Sequence, residues 1–268
     1  MVPDNENGDM AGNTRRRVFG GLMFLRGAGL VFILWIGFNL ALPRVVPAPW
    51  SVVLRTVSLL PDPLLIHLTA SLGRVGAAMV AAFGTAVPLG IVMGRNRTID
   101  RILSPAVYLL YPVPKIAFLP VAILLAGLGN VSKAGIVAVV LFFQVLVAVR
   151  DGVTSTPAQY VTAVRSLGAG RLGVLRFVII PTVLPRLFTA FRIGSATALS
   201  VLFFAETFSS DYGLGHFILD SWVRVAYTDM YAGILTLGLT GYGLFVLADL
   251  AERPACPWLR TENDRSFS

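Results

Sequence analysis

The feature that most constrains this chain is a series of long apolar stretches almost free of charge. Residues 18–42 carry only Arg26, 68–94 only Arg74 and 102–126 only Lys115. Residues 134–149 and 230–248 carry none, and 187–206 are charged only at Arg192 and Glu206. A helix needs about 20 mostly apolar residues to cross a bilayer. A chain with 56% hydrophobic and 13% charged residues also has too little polar surface for a water-soluble domain, in which about 25% of residues are charged. The sequence therefore reads as an all-α membrane protein of about six transmembrane helices, over 18–42, 68–94, 102–126, 134–149, 187–206 and 230–250. These form one domain, 18–252, between a disordered N-terminus (1–17) and a short tail (253–268).

Charge placement orients the spans. If the N-terminus is cytoplasmic, all but six of the 22 Lys and Arg residues fall on the inner side; the six are Arg44, Arg55, Arg74, Lys115, Lys133 and Arg224. The positive-inside rule then supports six spans with both termini in the cytoplasm. The same distribution accounts for the net charge of +8 without nucleic acid, because the arginines sit in short connections between apolar spans. The outer connections are the proline-rich stretch 44–66, a short turn at 127–133 and a longer loop at 209–229.

Several chemistries are excluded. Cys256 is the one cysteine, so there is no intramolecular disulfide, and its setting suggests neither metal nor nucleophile. His67 and His216 lie far apart in sequence and give no metal-ligand spacing. No cofactor is implied. A Walker A loop needs Gly-Lys followed by Ser or Thr; the two lysines follow Pro114 and Ser132. Ser104 and Ser195 have no histidine within a span to activate them, which argues against an intramembrane enzyme.

The one long inner connection, 150–186, is the most informative. Thr156 suits an N-cap, Pro157 the first helical position and Gln159 a capping box. Gly168 suits the left-handed C-terminal position. The helix between, about 157–167, carries Tyr160, Val164 and Leu167 on one stripe. A second short helix, about 171–179, is expected to stop at Pro181. Such a pair below the membrane fits docking of a cytosolic partner or, alternatively, lying on the lipid surface.

Within the spans, Lys115 lies among Pro112, Pro114 and Pro120, which are expected to break the helix. Two readings stand: a cavity-lining cation favouring anions, or a lysine reaching back to the inner face. Glu206 either shapes an outer gate beside Gly213 and Gly215 or is a helix-end carboxylate at the outer interface. Gly73, Gly76, Gly84, Gly90 and Gly94 point to close helix packing.

The stretch Thr162-Ala163-Val164-Arg165-Ser166-Leu167-Gly168-Ala169, followed by Val178-Ile179-Ile180-Pro181, resembles the EAA loop of ABC importer permeases. Thr162 stands where that family carries Glu, so an ion pair between that Glu and the ATPase is not available here; docking does not depend on it. Pro47-Ala48-Pro49, Ser71-Leu72-Gly73-Arg74-Val75, Pro112 to Pro120, Ala205-Glu206 and Gly213-Leu214-Gly215 resemble the nitrate, sulfonate and taurine branch of the family. The resemblance covers about 46–258. It implies a type I ABC importer permease-like fold, with a coupling helix of Tyr160, Thr162, Ala163, Val164, Leu167, Gly168, Ala169 and Pro181. It also implies a cytosolic ATPase dimer, a second permease copy, an external solute-binding protein and import of a small polar solute, anionic if Lys115 lines the path. The alternative is a stand-alone secondary transporter or channel, for which paired intramembrane acids or an inverted repeat would speak; neither is evident.

Overall fold

The computed structural model describes residues 26–27, 29–208 and 210–258. The expected N-terminus, the opening of the first span, Ser209 and the end of the tail lie outside them. Among the described residues every regular element is helical: α1 (Gly29–Ala41), α2 (Pro49–Leu59), α3 (Leu65–Arg95), α4 (Arg97–Leu110), α5 (Leu119–Ala126), α6 (Asn130–Thr154), α7 (Ala158–Ser166), α8 (Arg171–Val174), α9 (Ile180–Thr207), α10 (Leu214–Val223) and α11 (Tyr227–Ala255). The α2–α3 run, α6, the continuous run Arg171–Thr207 and α11 are each long and apolar enough to cross a bilayer. A fifth candidate is α4 with the segment Lys115–Ala126, bent by 82°.

Three helices, α3, α6 and α9, form the central seam. Val75, Ala78, Ala82, Val137, Leu141, Ala198 and Leu202 interlock in one buried cluster, and Ala86, Met93, Val145, Val149, Val153, Val178 and Val183 continue it toward the α7 end. Lipid tails are as apolar as these side chains, so the seam is held by close packing rather than by escape from water. The small residues make that packing possible. A Cβ on Gly94 would lie 2.5 Å from Val153 Cβ, and one on Gly90 2.9 Å from Val149 Cβ. Gly73, Gly76 and Gly84, expected to do the same, have open space where a Cβ would stand; they lie on the outward face of α3.

Polar ties fix the peripheral helices. Arg150 of α6 grips Asp100 of α4, with Nη2 donating to Oδ2 at 2.8 Å. Arg192 of α9 bridges to Asp249, at 2.9 Å, and to Glu252 on α11. Arg55 of α2 donates to Asp229 at 2.6 Å, where α11 begins. Asn96 starts α4 by accepting from the amides of Thr98 and Ile99, an N-cap that satisfies otherwise orphaned donors.

Three features differ from the sequence reading. The stretches expected as outer loops, 44–66 and 209–229, contain α2 and α10; α10 is too short to register as a span, and α2 does so only in the run it forms with α3. Between α2 and α3 only Asp62, held between Pro61 and Pro63, leaves helical geometry (φ −166°, ψ 132°). The break expected in 102–126 is present: Pro112 and Pro114, which lack N–H groups, interrupt the helix after Leu110, and it resumes with a tight turn at Lys115–Phe118. Pro120 does not break anything, because it sits in the first turn of α5, where no N–H is needed. Finally, Pro181 does not stop the second loop helix. The widened turn Leu175–Ile179 joins α8 to α9, and the hydroxyl of Thr182 donates to the Val178 carbonyl at 2.7 Å, so one helical run continues from Arg171 to Thr207.

Candidate functional site

The loop at one end of the bundle is built around α7. Its N-cap is Pro157, in extended geometry (φ −60°, ψ 131°) and without a side-chain cap. The expected capping box is absent, because Thr156 Oγ1 donates back to the Gly152 carbonyl of α6. Gly168 takes φ +85°. Its amide donates to the Arg165 carbonyl at 2.9 Å, and the Ala169 amide to that of Val164 at 3.3 Å. This is the two-bond Schellman closure, which needs a residue free to adopt the left-handed conformation.

The apolar face of α7 is rotated from the expected stripe. Val161 and Val164 pack on the core beneath. Tyr160, Ala163 and Val164 line an open groove of about 450 Å³ with Phe177, Pro181 and Pro185. Thr162 is exposed, its hydroxyl bonded only to the Ala158 carbonyl of its own helix. Leu167 is 87% and Leu172 79% exposed. Two uncovered leucines beside a capped amphipathic helix form a surface suited to burial by another protein.

At the bend between α4 and α5, Lys115 is half-buried. Its ammonium donates to the Tyr111 carbonyl and lies 4.8 Å from the ring centroid of Phe143 and 5.4 Å from that of Tyr111. The cation thus caps the broken end of α4, where the last carbonyls lack helical partners. Pro112 and Pro114 shape the bend and Pro120 restarts the chain beyond it. Close by, Tyr111, Gln144, Asp151, Arg186 and Thr189 line a depression of about 410 Å³.

At the opposite end from α7, a buried polar knot joins four helices. Glu206, at the end of α9, is 1% exposed. Arg74 Nη1 of α3 donates to its Oε1 at 2.6 Å; Ser71 Oγ lies 2.8 and 2.9 Å from its two oxygens; the Gly215 amide donates to Oε2 at 2.9 Å. Arg74 also donates to the Tyr212 carbonyl and, through Nε, to Asn130 Oδ1 at the start of α6. Ser71 Oγ further accepts from the Leu214 amide, and His67 Nδ1 from that of Gly213. The carboxylate at the end of α9 is therefore paired rather than solvated: a buried charge persists only when paired and hydrogen-bonded. The glycines admit it. A Cβ on Gly213, whose φ is +138°, would lie 2.3 Å from Glu206 Cδ, and one on Gly215 2.5 Å from the Phe203 carbonyl oxygen.

The structure thus brings Glu206, Gly213 and Gly215 into one knot and leaves Pro112, Pro114, Lys115 and Pro120 at a separate bend. Arg74, Ser71, His67 and Asn130 are the site residues that sequence reasoning did not single out. A signal existed: Arg74 is the lone charge of its span and Glu206 the one carboxylate of its own, and two such groups are expected to pair. His67 and His216, remote in sequence, stack with ring centroids 5.8 Å apart; still, among the described residues no group of three or more His, Cys, Asp or Glu forms a metal site.

The chain is similar to known proteins over most of its length. The chain is 35% identical over 192 residues to the taurine transport system permease protein TauC of Escherichia coli (strain K12), covering 72% of this chain and 70% of that one. It is 25% identical over 266 residues to the nitrate import permease protein NrtB of Leptolyngbya laminosa, covering 95% and 94%. Its fold matches a chain of the inward-facing MetNI methionine ABC transporter with a TM-score of 0.62 and 18% identity, over 71% of this chain and 95% of that one. Residues 86–254 match the family described as binding-protein-dependent transport system inner membrane component, and the chain belongs to that family, the permease subunits of ABC importers.

Proposed function

We propose that two copies of this chain line one path through the inner membrane and import a small, polar, anionic solute of the sulfonate or nitrate kind. A permease of this family works with an ATPase and a solute-binding protein; here an ATPase pair docks on the 150–186 loop and the binding protein delivers at the end that holds the Arg74–Glu206 knot. The carrying observation is the exposed face of α7, with Leu167 and Leu172 uncovered next to a Schellman-capped helix. Orientation follows from charge. Arg95, Arg97, Arg101, Arg165, Arg171 and Arg176 cluster at the α7 end, which the positive-inside rule makes cytoplasmic, so both termini face the cytoplasm. The chain supplies no Gly-Lys-Ser/Thr phosphate loop, so hydrolysis belongs to the partner. Names of relatives that specify taurine and nitrate support an oxyanionic solute. The remaining assignments are that Tyr160, Thr162, Ala163, Val164, Leu167, Gly168, Ala169 and Pro181 couple to the ATPase, and that Lys115 and Glu206, with their proline and glycine neighbours, shape the path.

The test is reconstitution in liposomes with the cognate ATPase and binding protein. Uptake of taurine or nitrate should require ATP and all three components, the chain alone should hydrolyse no nucleotide, and cross-linking of the assembled complex should trap two permease copies. Solute movement by the chain alone would overturn the reading in favour of a stand-alone transporter.

A further inference from the structure

Beside the Arg74–Glu206 knot, a depression of about 610 Å³ opens between the turn that precedes α6 and the segment that joins α9 to α10. That size falls within the range of about 300–1,000 Å³ usual for small-molecule sites. We propose that it is an oxyanion-binding antechamber, the first station of the path for the head group of an anionic solute; this rests on the import reading above.

Its wall is built of donors and positive charge. Arg74 and Lys133 both line it, although they are only 8% and 2% exposed. Each is held in place: Lys133 Nζ donates to the Leu128 carbonyl at 2.7 Å, and Arg74 Nε to Asn130 Oδ1 at 2.8 Å. Rigid cations at the base of a concavity act in a setting of low dielectric, where an anion gains more from them than it would in water. Ser210 lines the same wall, and its hydroxyl is buried without a hydrogen-bond partner. A buried orphan hydroxyl is costly, and a ligand oxygen would satisfy it. The 25-residue helix α6 starts at the rim with no side chain capping its first turn, so its positive end adds to the same field. The one carboxylate in the lining, Asp211, is exposed. At depth two cations, Arg74 and Lys133, stand against one carboxylate, Glu206, which holds Arg74 from behind; the net charge at depth is therefore positive, with Asp211 at the rim, an arrangement that accepts a sulfonate-type head and leaves room for an ammonium outside it. Sulfonate, nitrate and carboxylate heads share this chemistry with a lipid phosphate, so the source must be separated by experiment.

The permease–ATPase complex in phosphatidylcholine nanodiscs, without binding protein, is titrated with ethanesulfonate by calorimetry. Saturable binding is expected, with none of the neutral ethyl methyl sulfone. Lys133→Gln removes one charge-assisted contact and should weaken binding by about tenfold; Ser210→Ala should weaken it by about threefold. The Ser210 hydroxyl has no partner to lose, so that variant decides should Lys133→Gln fail to assemble. Absence of saturable binding, or affinity unchanged in the assembled variants, overturns the proposal. Loss of ethanesulfonate binding only when phosphatidylglycerol is included assigns the depression to a lipid headgroup and overturns it as a solute station. ATP-driven uptake is followed with the same preparation plus binding protein. Uptake without Lys133- and Ser210-dependent binding sinks the antechamber alone, whereas no ATP-driven uptake of any solute sinks the import reading beneath it.

Discussion

Replacing Glu206 by alanine removes the acceptor of a buried arginine. In the native knot the carboxylate takes Arg74 Nη1 at 2.6 Å, Ser71 Oγ at 2.8 Å and the Gly215 amide at 2.9 Å, at 1% exposure. Hydrogen bonds to a charged group contribute about 1.5–3 kcal/mol each, but they share one acceptor and do not add. The better guide is the cost of leaving one member of a buried pair unpaired, about 3–5 kcal/mol. Glu206→Gln keeps the shape and one acceptor oxygen while losing the charge, and about 2 kcal/mol is expected for it. The double variant Arg74→Met with Glu206→Leu removes both charges together, and should recover most of the stability lost by either single change. Unfolding of the purified permease in mixed detergent, followed by far-ultraviolet circular dichroism, measures all four corners of the cycle. A Glu206→Ala loss below about 1 kcal/mol, the level of exposed pairs, or a double variant as unstable as the two singles summed, would refute the argument that this pair is a closed, desolvated unit.

Four other substitutions probe the remaining features. Gly168→Val adds a side chain into open space, so its cost is backbone strain at φ +85° alone, about 1–3 kcal/mol; membrane insertion should be normal while co-purification of the ATPase and uptake both fall, whereas Thr162→Glu, at an exposed position, should be tolerated in the same assay. Lys115→Ala removes the cation that caps α4 above the Phe143 ring, and uptake at subsaturating solute should drop without loss of assembly. Gly215→Ala forces a methyl to within 2.5 Å of the Phe203 carbonyl, and overpacking of this kind should lower stability by about 1–3 kcal/mol, read as an earlier thermal midpoint of the purified permease.

Spans were legible because an apolar run almost without charge, such as 134–149, admits few alternatives, and the left-handed position of Gly168 was legible because the left-handed closure of a helix favours glycine. The break near Lys115 was readable from Pro112 and Pro114. The helices α2 and α10 were not, since helices of 11 and 10 residues are too short to stand out as apolar spans. They are fixed here by tertiary contacts: Arg55 with Asp229, and the packing of Leu59, Leu64 and Phe217 around Ala232. Pro181 read as a stop because a proline denies the ordinary helical turn its hydrogen bond; no local signal announces that the preceding turn widens to accommodate it. The knot itself joins Arg74 and Glu206 across 132 positions, and pairing at that range is a property of the packed bundle.

The widened turn at Leu175–Ile179 has a mechanical consequence. Because it continues the helix instead of interrupting it, the 37 residues from Arg171 to Thr207 form one rod of about 55 Å at 1.5 Å per residue. Its foot stands in the docking loop and its tip carries Glu206. A tilt of about 5° about the midpoint would carry the tip sideways by about 2.4 Å for a rod of that length, whereas a hydrogen bond made at 2.6 Å is gone once its atoms part by about 1 Å. Such a rod would serve as a lever: a short stroke at one end would be enough to unlatch a charge pair at the other, with no need for a relay of side chains between them.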